Sequence, residues 1–135
     1  MNWTLEVVSL PVADVDRAKE FYAKRLGFAV DHDTAPAPGV RVVQLTPPGS
    51  GCSVVLGVSS MEPGSLKGLQ LVVPDIRRAR AELAERGVDA GEVVVLAPEG
   101  QRAPKDDEDL NNVGFCFFDD PDGNSWAVQQ INRGG

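Results

Sequence analysis

The chain has 135 residues, 42% of them hydrophobic, and 20 acidic residues against 13 Lys and Arg give it a net charge of −7. That is enough chain for one domain or for two half-domains sharing a core, and its acidity argues against nucleic acid, which recruits clustered basic side chains. No apolar run approaches the ~20 residues of a membrane-spanning helix. The start MNWTLEVV lacks the basic and small-residue pattern of a signal peptide, so the cytoplasm is the expected compartment.

Residues 5–12 read as a first strand. Asp14 then stands where a carboxylate can accept the orphan amides of a helix's first turn. Val15, Ala18, Tyr22 and Leu26 fall on one face of the helix that follows, with Lys19, Glu20 and Lys24 on the other. Gly27 ends it. Residues 29–33 read as a short strand, and the prolines of TAPAPG, residues 34–39, as a loop. Residues 40–46 and 52–58 read as strands around the turn PPGSG. Residues 59–66 form a linker.

Residues 69–73 are the next strand, and Asp75 caps a second helix whose inner face is Ile76, Ala79 and Leu83, with Arg80, Glu82 and Glu85 outward and Gly87 as its stop. Residues 92–96 read as a strand. Residues 98–112 are polar, with Asp106, Asp107, Glu108 and Asp109 in one run, and read as either a solvated loop or a flap over a site. Residues 115–118 and 125–132 are the last strands, joined by DDPDGN. Cys52 and Cys116 lie in apolar strand-like segments and are expected to be buried free thiols rather than a disulfide or a zinc site.

The chain says the same thing twice. VADVDRAKEFYAKRLGF, from Val12, is echoed by VPDIRRARAELAERGV, from Val73. Asp14 matches Asp75, Val15 matches Ile76, Arg17 matches Arg78 and Ala18 matches Ala79 at an offset of 61; Gly27 then matches Gly87 at 60, one residue having been lost. The hairpins align as well, Pro48 with Pro121 and Gly51 with Gly123, with one residue inserted in the first copy. Each half is therefore β-α-β-β-β, and the chain is expected to be a duplicated supersecondary unit, with modules at about residues 1–58 and 67–135 within one domain.

LPVADVDRAKEFYAKRLGF in the first half, with LVVPDIRRARAELAERGV and FFDDPDGNSWAV in the second, resembles the vicinal oxygen chelate superfamily, which includes glyoxalase I, extradiol dioxygenases and bleomycin-resistance proteins. The resemblance spans essentially the whole chain. It implies an α+β fold in which two βαβββ modules curl their mixed sheets into one cleft, with helices on the outer faces. It does not imply one function, because the superfamily hosts lyases, oxygenases, isomerases, epimerases and binders that do no chemistry.

Many enzymes of that superfamily hold a divalent metal through His, Gln or Glu at four related strand positions. The motifs carry those positions to Val7, Val55, Gly68 and Ala127 here. None has a ligating side chain, and a metal centre wants several N or O donors converging at about 2 Å. A one-residue slip would bring in Glu6, but it would also turn Val8, Leu10 and Val12 into the cleft. The single histidine, His32, sits near the short second strand and is expected to be a surface or hydrogen-bonded residue rather than a ligand.

Period-two alternation anchored on those four positions gives one sheet face. From the first half it collects Leu5, Val7, Ser9, Val42, Gln44, Ser53 and Val55; from the second, Gln70, Val72, Phe115, Phe117, Ser125 and Gln129. All of these except Val72 are the expected ligand-binding residues. Trp126 has the opposite parity and is expected under a helix, while Trp3, near the terminus, could cover an interface or a ligand. No catalytic residue is assigned, since the face has no carboxylate, lysine or histidine, and no GxxxxGK, GxSxG or HExxH occurs.

The expected function is metal-free and cofactor-free binding or sequestration, in the cleft, of an aromatic or partly apolar small molecule, with the acidic run overhanging the mouth and favouring a cationic one. The alternative is an enzyme of the same superfamily, a lyase, isomerase or dioxygenase-like protein with or without a metal. A third reading is a ligand sensor or interaction partner. A homodimer is expected, because open sheets leave edges to cover.

Overall fold

A computed structural model describes residues 1–133. It has two mixed sheets, of four and five strands, and two helices, an α+β arrangement with no closed barrel. By contacts the chain divides into two compact units: the first takes residues Met1–Leu66 with Asp120–Asn124, the second Lys67–Asp119 with the last strand.

In the first unit the order is β1 (Val7–Leu10), α1 (Val15–Glu20, continued as a π turn over Phe21–Arg25), β2 (Ala29–Ala37), β3 (Val40–Thr46) and β4 (Ser53–Leu56), with the strands arranged β1-β4-β3-β2. β1 runs parallel to β4 and the other pairs are antiparallel. In the second unit β5 (Leu69–Val73), α2 (Ile76–Glu85), β6 (Val94–Ala97), β7 (Gly100–Arg102), β8 (Gly114–Asp119) and β9 (Ser125–Gln130) are arranged β5-β9-β8-β6-β7, with β5 parallel to β9. The topology of one sheet is thus repeated in the other, with β7 added at an edge.

Both helices begin as expected. The Asp14 carboxylate accepts the Arg17 amide at 3.1 Å and Asp75 accepts that of Arg78 at 3.2 Å. Gly27 and Gly87 end the helical segments in the left-handed region, at φ +77° and +78°. α1 departs from a regular helix in its second half. The π turn covers Phe21 and Tyr22, both buried and packed edge to face at 5.2 Å; the expected face of Val15, Ala18, Tyr22 and Leu26 left out Phe21, which three residues after Ala18 falls on the same side.

Two strand assignments are corrected. Residues 34–37, expected as loop, continue β2 to Ala37, and Pro38 and Gly39 alone make the turn, with Gly39 at φ +75°. β2 is an edge strand whose register slips between Thr34 and Ala37, so the missing N–H of Pro36 leaves no ladder partner unserved. Residues 98–112 are not all loop: Gly100–Arg102 returns as β7, pairing Leu96 with Gln101 and Val95 with Arg102. A glycine and two polar residues carry no alternation by which a strand is read.

The first core gathers Leu10, Ala18, Phe21, Tyr22, Val43, Leu45, Val54 and Leu56 where α1 packs on β3 and β4. The second gathers Ile76, Val88, Val95, Cys116, Phe118, Trp126 and Val128 where α2 packs on β8 and β9. Trp126 is buried there against Phe118, rings stacked at 6.0 Å, as its parity requires.

The turn Asp120–Asn124 belongs to the first unit and is fixed from all sides. Asp120 Oδ1 accepts the amides of Asp122, Gly123 and Asn124 at 2.9–3.0 Å, and its Oδ2 accepts Tyr22 Oη at 2.7 Å and Asn124 Nδ2 at 2.8 Å. Asn124, fully buried, also donates to Pro11 O and accepts from Leu66 N–H. Asp122 accepts from Ala13 N–H and Arg17 Nη2. Gly64 passes so close, at φ +80°, that a Cβ there would lie 2.0 Å from Asp122 O. Among the described residues no helix is long and apolar enough to cross a membrane.

Candidate functional site

Strand register sorts the candidate residues into one open face per sheet. In the first sheet Ser9 pairs with Val55, and Val55 with Gln44; in the second Gln70 pairs with Ala127, and Ala127 with Phe117. Ser9 to Gln70 is the same offset of 61 that relates the helix caps, so the rows are structural equivalents. Strand parity also bears on the slip to Glu6, which precedes β1. Val7 and Ser9 are exposed while Leu10 is fully buried, which puts Glu6 on the parity of the helix-packed face.

On the first sheet, Val7 and Ser9 are exposed, Val42 and Gln44 half-buried, and Ser53 and Val55 buried at 7% each. Leu5 is exposed but precedes β1. Ser53 Oγ lies 2.6 Å from Thr46 Oγ1, which itself donates to Asp31. His32 is exposed on edge strand β2, opposite Gln44. On the helix side of the same hairpin, Asp33 bonds Lys19 Nζ at 2.6 Å and Arg41 at 2.8 and 3.0 Å, and Arg41 reaches Asp16. The Arg41 guanidinium first, then Lys19, holds the Asp33 carboxyl well below the usual carboxylate range.

On the second sheet, Phe115 and Phe117 stand two apart on β8 with ring centroids 6.2 Å apart and planes 7° from parallel. Phe117 is 43% exposed and Val72, one row along, 41%. Gln70 on β5 donates through Nε2 to Gln129 Oε1 on β9, and Gln129 Nε2 donates to Asn112 O at 2.9 Å. Ser125 lies half-buried at the end of the face, opposite Asp119.

Asp119 corrects the reading of this face as free of carboxylates. β8 runs one residue further than the apolar pattern suggests, and Asp119 follows Phe117 on the same parity. Asp89, Phe117, Phe118 and Asp119 line an open depression of about 340 Å³. The acidic run is placed differently from an overhanging flap. Glu108 bonds Arg102 at 2.6 and 2.8 Å and the Lys105 amide at 3.0 Å, while Arg77 of α2 donates to the Lys105 and Glu108 carbonyls. Those bonds fasten the loop along α2. Arg102, then the Lys105 amide, lowers the Glu108 pKa to about 2.

The residues present do not fit a divalent metal. Val7, Val55, Gly68 and Ala127 have no side-chain donor, and among the described residues no group of three or more His, Cys, Asp or Glu is placed to hold an ion. Cys52 and Cys116 are free, Cys52 part-exposed and Cys116 buried. Burial pushes the Cys116 thiol up, away from a nucleophilic thiolate.

Residues 4–128 match the model of the Glyoxalase/Bleomycin resistance protein/Dioxygenase superfamily. Among solved structures, the chain is similar to TnmS3, an antibiotic binding protein from Streptomyces sp. CB03234, at 32% identity over 96% of this chain and 97% of that one, with a TM-score of 0.74. It is also similar to a glyoxalase/bleomycin resistance protein from the same organism, at 33% identity over 94% and 100% of the two chains, with a TM-score of 0.71. A superfamily member from Sphaerobacter thermophilus DSM 20745 shares 29% identity over 96% and 98%, with a TM-score of 0.73. No curated protein matches the sequence.

Proposed function

The chain belongs to the Glyoxalase/Bleomycin resistance protein/Dioxygenase superfamily, and from that premise we propose that it binds and sequesters a planar aromatic small molecule of antibiotic type, without a metal or cofactor and without chemistry. The observation that carries this is the parallel pair Phe115 and Phe117 on an open sheet face, flanked by the neutral amides of Gln70 and Gln129. Rings supply stacking area and amides fix orientation without asking for a charge on the ligand. The strand residues of that face include no histidine, lysine or cysteine, and Asp119 is their one carboxylate, a thinner set than acid–base or nucleophilic work usually gathers. The similarity to an antibiotic binding protein supports the same class of ligand.

Asp89 and Asp119 beside Phe117 favour a ligand with a cationic substituent. The proposal includes a cytoplasmic homodimer, since β1 and β5 are edge strands without a charged residue to guard them. Light scattering at a mass near the 14.4 kDa monomer would count against the dimer.

The test is a thermal-shift and fluorescence screen of planar polycyclic aromatics against saturated molecules of equal size, because a ligand that binds the native state raises stability by mass action. The planar set should raise the melting temperature and the saturated set should not. Equal responses from both sets would remove the stacking role of the rings.

A further inference from the structure

Asn112 is the single non-glycine residue among the described ones with a left-handed backbone, at φ +70°. An asparagine held there is uncommon enough to ask what it positions. Its N–H donates to Gln130 O at 2.8 Å, and its carbonyl oxygen accepts Gln129 Nε2 at 2.9 Å. A backbone carbonyl can only accept, so this bond settles which end of the Gln129 amide is nitrogen. Gln129 Oε1 is thereby the end available to β5, where it accepts Gln70 Nε2. The same logic then passes to Gln70: its nitrogen is engaged, and its Oε1 has no partner among the described residues.

Gln70 stands in one cross-strand row with Ala127 and Phe117. The small Ala127 side chain leaves the middle of that row low, between an aromatic ring on one side and the glutamine on the other. A flat ring lying over Ala127 against Phe117 brings its rim to Gln70. We infer that Gln70 Oε1 is the acceptor that reads a hydroxyl or N–H on the ligand's rim, with Gln129 and the left-handed Asn112 positioning it. The ligand class narrows from planar aromatics to those with a rim donor, such as phenols. The inference rests on the binding reading above, and a site that hydrogen-bonds a donor rejects analogues lacking it more strongly than an apolar pocket can.

The experiment titrates the full chain with naphthalene, 2-naphthol and 2-methoxynaphthalene, following ligand fluorescence. The wild type should hold 2-naphthol about tenfold tighter than 2-methoxynaphthalene, in line with one net hydrogen bond. Gln70→Met and Gln129→Met should both bring that ratio close to one, with circular dichroism confirming the fold. The naphthalene arm separates stacking from donor recognition, and a merely structural role for Gln129 would move it. A ratio that survives Gln70→Met, or a preference for 2-methoxynaphthalene, overturns the inference while the binding function stands. A ratio that survives Gln129→Met alone overturns the positioning role. Failure of all three probes to bind overturns the binding reading and the inference together.

Discussion

Ser9, Val55 and Gln44 in the first sheet occupy the cross-strand row that Gln70, Ala127 and Phe117 occupy in the second. With register held, the side chains have diverged in one direction. The first sheet's row is closed by a buried valine, with hydroxyls bonded among themselves at Thr46 and Ser53. The second sheet's row is open over an alanine, walled by a ring and bounded by an amide. The repeated topology therefore supplies two similar platforms, and a few outward residues set apart the one proposed to hold a flat molecule.

The hairpin turns differ even more. Asp120–Asn124 is knit into the first unit by a buried carboxylate that accepts five hydrogen bonds, whereas the matching turn, residues 47–51, is exposed from Pro48 onward and closed by short local bonds such as Ser50 N–H to Pro47 O. Asp120→Ala should lower the unfolding free energy by roughly 3 kcal/mol, because it strands several buried donors at once. Ser50→Ala should stay within about 0.5 kcal/mol as an exposed substitution. Equal losses in urea titrations would mean the two turns are not the contrast they seem.

The binding faces give the next largest effect. Phe117→Ala should weaken a planar aromatic probe by about 1–3 kcal/mol through lost burial, while Gln44→Ala, its row counterpart in the first sheet, should change affinity by less than about 0.5 kcal/mol. A larger loss from Gln44 than from Phe117, by calorimetry, would move the site to the other sheet.

A smaller effect separates the two charged latches. The Glu108 pKa lies below its usual 4.5, at about 2, so the Arg102 bond stabilises fully above about pH 4.5 and is lost as pH falls toward 2. Hydrogen exchange over residues 103–109 should accelerate across that window, while the Asp33 latch on α1, with two cationic partners, should outlast it. Loosening at neutral pH would show that Glu108 does not hold the loop. The smallest expected effect is none: Zn²⁺ or Ni²⁺ added to chelator-treated protein should leave the melting temperature unchanged, and a stoichiometric rise would contradict the assignment of Val7, Val55, Gly68 and Ala127.

Much of this was legible in the sequence, because caps, glycine stops and alternation are local signals. The Asp14 and Asp75 caps, both helix ends and the parity of Phe117 against Trp126 could all be read from neighbours along the chain. What escaped were features decided by partners far away. Pro36 reads as loop until β2 proves to be an edge, Gly100–Arg102 reads as nothing until β6 offers it a ladder, and Asp119 joins the open face only because Ser125 pairs with it. The Asn112 relay left no sequence signal at all, since an asparagine in a polar loop is ordinary.

The π turn in the first helical segment settles an old arithmetic. The two copies keep an offset of 61 through Ala18 and Ala79 but only 60 at Gly27 and Gly87. The discrepancy is one residue, and a π turn is what a helix makes of one residue too many. After it, Phe28 N–H closes on Tyr22 O, six residues back, where Val88 N–H closes on Leu83 O, five back. An insertion that would otherwise have rotated everything downstream by about 100° is swallowed inside a single turn. The first copy can thus carry a length change in its helix and still deliver the chain to β2 in phase, with Phe28 buried as Val88 is.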